Sequence, residues 1–193
     1  MRRLLISVVA SALLAAGLAG CSSGPGNTGG SVNQNRYEAG NGTSEFFPPS
    51  ERQPAPDLEG ETLDGEQFTL SQVAGDIVVI NFWASWCAPC RLEAPELEEV
   101  YRTYADQGVS FLGVNIRDAH DQAVAFQDSF DVTYPSLADP SGRIALLFRD
   151  VPPNTIPATI ILDRQGQVAV VLRKAVLADE LAGYITDLLA EDG

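Results

Sequence analysis

Seven consecutive residues, Ile77-Val78-Val79-Ile80-Asn81-Phe82-Trp83, hold a single strongly polar side chain. An alternating pattern would mark a strand with one wet face. A nearly unbroken apolar run marks a strand covered on both faces, and such a strand needs layers packed above and below it. The flanking sequence supplies candidates. Residues 88–106 are predicted as a helix, Val109–Ile116 as a second buried strand and residues 119–130 as a second helix. Asp139-Pro140-Ser141-Gly142 reads as a turn and 143–148 as a short helix. Ala158–Leu162 and Val168–Leu172 read as strands joined through Arg164-Gln165-Gly166. Leu177, Leu181, Tyr184, Ile185, Leu188 and Leu189 form one apolar stripe at helical spacing. Upstream, Asp64-Gly65 within 60–70 is a hairpin signal. This order of elements predicts a three-layer α/β sandwich without internal repeats.

Composition narrows the function. The chain has 193 residues, 45% apolar and 20% charged, which suits one folded domain with a small appendage. Twelve basic against 26 acidic residues leave a formal charge of −14, which repels phosphates and excludes nucleic-acid binding as a main task. Three cysteines and one histidine exclude a disulfide-dense scaffold and a Cys/His zinc framework, so no metal is expected.

The N-terminus reads as an address. Arg2 and Arg3 precede an uncharged apolar stretch from Leu4 to Leu18, an export signal too short for a comfortable membrane span. Leu18-Ala19-Gly20-Cys21 resembles the lipobox of bacterial lipoproteins, in which the cysteine is lipidated and becomes the first mature residue. The alternative is an ordinary cleavage site beside a chance cysteine. The organisation expected is a signal peptide over 1–20, lipidated Cys21 and a flexible Gly/Ser/Asn/Thr-rich tether over 21–44, and a folded domain over 45–193. That places the domain at the extracytoplasmic face of the cell membrane, held by lipid.

With Cys21 lipidated, Cys87 and Cys90 remain. They lie in Trp86-Cys87-Ala88-Pro89-Cys90, after the buried strand and at the start of the predicted helix. A spacing of three in a first helical turn brings two Cα atoms to about 5–6 Å, within disulfide reach. Pro89 is tolerated there because first-turn amides lack intrahelical acceptors. The helix N-terminus favours a thiolate at Cys87, while Cys90 lies one turn in and more sheltered. One thiol is placed to attack and the other to resolve. A purely structural disulfide closing so short a loop would add little stability. His120, near a helix start, reads as a solvated residue.

Asn81-Phe82-Trp83-Ala84-Ser85-Trp86-Cys87-Ala88-Pro89-Cys90 closely resembles the thioredoxin superfamily, and its continuation through Leu97 resembles the extracytoplasmic TlpA/ResA branch, over roughly residues 54–190. The resemblance implies a thioredoxin-like α/β/α sandwich with an N-terminal hairpin extension and a central helix–strand insertion. It implies a redox-active Cys87–Cys90 disulfide in place of any cofactor.

Glu93 follows from the residues as well. Leu97, Val100, Tyr101 and Tyr104 form the buried stripe of the helix, and four residues before Leu97 is Glu93, which therefore points inward, unlike Glu96, Glu98 and Glu99. Desolvation should raise its pKa and suit it to exchange protons with Cys90. The family places an acid at this position. Asn81 stands where thioredoxins carry a buried aspartate and is expected to satisfy buried backbone groups. Pro95 matches the family's helix-kinking proline. By resemblance Ile156–Pro157 is cis, and the exposed backbone of Ile156 pairs with an extended substrate. Thr155 stands where many relatives have glycine. Trp83 is expected in the core, and Trp86 and Pro89 on the substrate surface.

The function implied is thiol–disulfide exchange on protein substrates. The reductive direction fits the inward acid, with apocytochrome c as a substrate in relatives and a membrane thiol donor of the CcdA/DsbD type as the partner. A disulfide-forming oxidase uses the same layout in reverse. A peroxiredoxin needs a threonine where this chain has Ala84, and copper chaperones of this fold use a wider cysteine spacing plus a histidine.

Overall fold

The computed structural model describes residues 38–39, 42–148 and 155–191. Cys21, the expected signal over 1–20 and most of the expected tether lie outside the described residues.

A six-stranded sheet organises the domain in the order β2-β10-β9-β5-β6-β7. Its members are β2 (Ser44–Phe46), β5 (Ile77–Trp83), β6 (Val109–Ile116), β7 (Ser136–Asp139), β9 (Ala158–Leu162) and β10 (Val168–Leu172). β5, β6 and β7 run parallel, β9 runs antiparallel to β5, and β10 antiparallel to β9 and β2. The apolar run occupies the interior of the sheet, and all seven of its residues are buried. Alternation along β5 sends its side chains to two faces. Ile77 and Val79 pack with Leu97 and Val100 of α1 (Ala88–Tyr104) and with Leu181 and Ile185 of α3 (Ala178–Glu191). Val78, Ile80 and Phe82 pack into the opposite layer, which includes Ala123 and Phe126 of α2 (His120–Ser129). The three-layer α/β sandwich predicted from the sequence is the fold observed.

The hairpin of β3 (Glu59–Glu61) and β4 (Gln67–Thr69) covers part of that second layer through Leu58 and Leu63. Gly65 turns it with a φ of +82°, a conformation that favours glycine. The central helix–strand insertion is α2 with β7. β7 ends on Asp139, so the segment read from sequence as a turn closes a strand. Asp139 caps the following 3₁₀ turn Ile144–Leu147 by accepting from the amides of Arg143 and Ile144 at 2.9 and 2.8 Å.

Two strands fall within or at the end of the expected tether. β2 begins at Ser44, and β1 (Glu38–Ala39) runs parallel to β8 (Thr155–Ile156). Both β5-α1-β6 and β6-α2-β7 crossovers leave the carboxyl ends of the parallel strands at one end of the sheet, where open α/β sheets carry their chemistry. The register of Phe82 against Ala158 brings Pro157 to that end, beside the residues that follow Trp83.

Candidate active site

The chain leaves β5 at Trp83 and enters α1 at Ala88, so four residues carry it around the turn. Cys87 is the N-cap of α1: its backbone is extended, and its sulfur accepts from the amide of Cys90 at 3.3 Å. Pro89 lies in the first turn, as its missing amide allows. Cys87 and Cys90 form a disulfide with Cα atoms 5.3 Å apart. Cys90 is 1% exposed and Cys87 4%, so the pair is covered and Cys87 is the more accessible member. Ile156 belongs to the same apolar cluster as the two cysteines, and Ile156–Pro157 is cis.

Glu93 lies one turn beyond Cys90 on the same helix and is 1% exposed. Its Oε1 accepts from Nδ2 of Asn81 at 2.8 Å and its Oε2 from the amide of Val176 at 3.2 Å. Burial pushes its pKa up to about 8, against the pull of these two donors, which favour the charged form. Among the interactions the structure describes for Glu93 there is no cation. Asn81 therefore has a role other than the one expected from sequence. Its amide serves side chains, donating to Glu93 and, at 3.1 Å, to Oγ1 of Thr159. A cavity of about 10 Å³, near the size of one water, is lined by Asn81, Cys90 and Tyr134 among others.

Trp86 is 42% exposed, and its indole Nε1 donates to the carbonyl of Arg117 at 3.3 Å. Trp83, by contrast, is core and stacks on Phe126. Gly113 of β6 makes room for it, since a Cβ there would meet Trp83 Nε1 at 2.8 Å. An open groove of about 410 Å³ beside Trp86 is lined by Ser85, Arg91, Gln122, Phe126 and Phe130. The backbone of Ile156, expected to be free for a substrate strand, is paired with Ala39 of the chain itself. The structure thus gathers Cys87, Cys90 and Ile156 at one end of the sheet, with Trp86 and Pro89 bordering the cysteines and Glu93 behind them.

Three polar residues play parts that the sequence reading did not assign. Glu98, read as solvated, is buried; its carboxylate accepts from the amide and hydroxyl of Thr133 at 2.8 and 2.6 Å and from Arg102 at 2.6 Å. Asp118 holds the turn before Cys87. His120 is exposed as expected, yet its Nε2 lies 2.9 Å from the carbonyl of Leu63, joining α2 to the hairpin. A run of acids on a helix does not reveal which one faces a distant loop, so Glu98 carried no signal. Asp118 followed by Ala119-His120 did carry one: an acid before a helix start.

Residues 52–171 match the AhpC/TSA family. The chain is 30% identical over 138 residues to the thiol-disulfide oxidoreductase ResA of Oceanobacillus iheyensis, covering 69% of this chain and 70% of that one. In three dimensions it is similar to a DsbF homologue from Corynebacterium diphtheriae, with a TM-score of 0.72 and 36% identity over 77% of this chain and 94% of that one. It is also similar to a secreted thiol-disulfide isomerase from Corynebacterium glutamicum, with a TM-score of 0.74 and 32% identity over 80% of this chain and 96% of that one.

Proposed function

Because this chain belongs to the AhpC/TSA family and is a thioredoxin-like thiol-disulfide oxidoreductase of the ResA type, we propose that it works as a lipid-anchored disulfide reductase at the extracytoplasmic face of the membrane. The observation that carries the reductive reading is the pairing of a Cys87–Cys90 disulfide at the head of α1 with a buried acid, Glu93, one turn behind. In the cycle, the Cys87 thiolate attacks a sulfur of the substrate disulfide. A Cys87–substrate bond forms, the substrate S–S bond breaks, and one substrate thiolate leaves with the electron pair. Cys90 passes its proton to the ionised form of Glu93 and attacks the Cys87 sulfur, expelling the second substrate thiolate. The substrate has gained two electrons and the enzyme has become the disulfide. A membrane thiol donor of the CcdA/DsbD type, by the same exchange in reverse, restores the dithiol.

Glu93 suits the proton step because a carboxyl with a pKa of about 8 lies close to an ordinary thiol, so transfer between them is nearly balanced. Trp86 and Pro89 supply the apolar surface, and the edge of Ile156 receives an extended substrate once β1 is displaced. Apocytochrome c, with its paired cysteines, is a substrate of this kind. The secreted relative from Corynebacterium glutamicum and the lipobox-like Leu18-Ala19-Gly20-Cys21 support an extracytoplasmic, lipid-held location. Ala84 has no hydroxyl to hold a peroxide, which argues against a peroxiredoxin activity.

The deciding measurement is the reduction potential at neutral pH. A value near that of thioredoxin, about −270 mV, fits a reductant; one near that of DsbA, about −120 mV, would make the protein an oxidant of exported chains. Replacing Cys21 with serine should release the protein from membranes, and retention there would refute the anchor.

A further inference from the structure

The turn that carries the chain to Cys87 is held from outside by a neighbouring turn. β6 ends at Ile116, and the chain then bends through Arg117, whose φ is +48°. That conformation is unfavourable for a residue with a Cβ and persists only where surrounding contacts enforce it. The amide of Arg117 donates to the carbonyl of Asp139 at 3.1 Å, and further contacts come from Asp118. Its Oδ2 accepts from the backbone amide of Ser85 at 2.6 Å and from Nδ2 of Asn115 at 3.1 Å. Its Oδ1 accepts from the hydroxyl of Ser85 at 2.9 Å and from the amide of Ala119 at 3.0 Å. The neighbouring carbonyl of Arg117 accepts from the indole of Trp86. Both residues immediately before Cys87 are therefore tied to one bend, 33 residues away in sequence for Ser85.

Two of the four donors to Asp118 come from Ser85, and charge-assisted bonds of this kind are the stronger ones. Ser85 and Asn115 are both buried. Among the described residues, the amide of Cys87 bonds within its own turn, to Ala84 at 3.1 Å. The turn is held laterally by Asp118, by the carbonyl of Arg117 and by Nε of Arg91, which donates to the carbonyl of Ser85 at 3.1 Å.

We propose that Asp118 is a positioning residue for thiol–disulfide exchange: by pinning Ser85 it keeps the Cys87 sulfur at the head of α1, in line for attack. This rests on the reading of Cys87 as the attacking thiol. Removing a carboxylate near a thiol favours the thiolate and by itself would speed exchange at neutral pH. Above the titration of the thiol the thiolate fraction no longer changes, and the weaker nucleophilicity that accompanies a pKa lowered by about one unit is worth only about threefold, so a loss of about tenfold or more there reports position.

The test uses Asp118→Ala, Asp118→Asn, Ser85→Ala and Cys87→Ser in the mature chain. Exchange of the reduced protein with a model peptide disulfide is followed at neutral pH and again where Cys87 is fully ionised. Asp118→Ala should lower kcat about tenfold or more at the alkaline pH, with KM within about twofold of wild type. Asp118→Asn, which keeps one acceptor for the Ser85 amide, should fall between it and wild type. A residue important only for folding would lower the melting temperature and leave the kcat of the folded protein unchanged. Wild-type kcat in Asp118→Ala would overturn the proposal, and if that variant does not fold, wild-type kcat in both Asp118→Asn and Ser85→Ala would do so. Activity surviving in Cys87→Ser would instead overturn the assignment of the attacking thiol.

Discussion

Replacing Glu93 with glutamine should change how stability depends on pH far more than it changes stability at any one pH. The folded protein holds this carboxyl at about 8, mainly through burial, against an ordinary value of 4.5. Since the folded value is the higher one, the fold favours the neutral acid. The stability this contributes is complete below pH 4.5 and is lost as the pH rises through 8. Linkage over that window makes the wild-type protein about 4 kcal/mol less stable at pH 9 than at pH 5 through this one group. Glutamine has no such proton. Its single oxygen must meet two donors, Asn81 Nδ2 and the Val176 amide, so the variant carries a pH-independent penalty of about 1–3 kcal/mol. The assay is urea unfolding of both oxidised proteins across this pH range, since disulfide-bonded cysteines do not titrate and other groups cancel in the difference. The variant should be the less stable protein at pH 5 and should gain on wild type steadily, overtaking it toward pH 9. Two curves parallel within about 1 kcal/mol would show that Glu93 is ionised throughout and would remove it as a proton carrier for Cys90.

Three further outcomes follow from the same geometry. Cys90→Ser should leave Cys87 able to attack and unable to be resolved, so a stable mixed disulfide with substrate should accumulate on a nonreducing gel; its absence would mean that Cys87 does not attack first. Glu98→Ala should cost about 1–2 kcal/mol in urea unfolding, through the lost partner of the Thr133 amide and not through its ion pair with the exposed Arg102, and added salt should leave that loss unchanged. Proline at both Glu38 and Ala39 removes the amides of β1 and should lower the KM for a peptide disulfide severalfold without changing kcat; an unchanged KM would place substrate elsewhere than on the Ile156 edge.

What the sequence determined by itself rests on near neighbours. The apolar run over Ile77–Trp83 could only be a strand covered on both faces, and the spacing of Cys87 and Cys90 at a helix start led to a disulfide through geometry confined to one turn. Glu93 was legible for the same reason, because the stripe through Leu97 and Val100 defines its direction within a single helix. Tertiary structure decided the polar partnerships. Asn81 reaches Glu93 across 12 residues and Thr159 across 78, Glu98 meets Thr133 across 35, and Asp118 meets Ser85 across 33. The strand pairing of Glu38–Ala39 with Thr155–Ile156 is longer in range still. A polar side chain has no periodicity that names its partner. Its hydrogen bond is directional and short, so it exists only once the layers have closed and brought the two groups within reach.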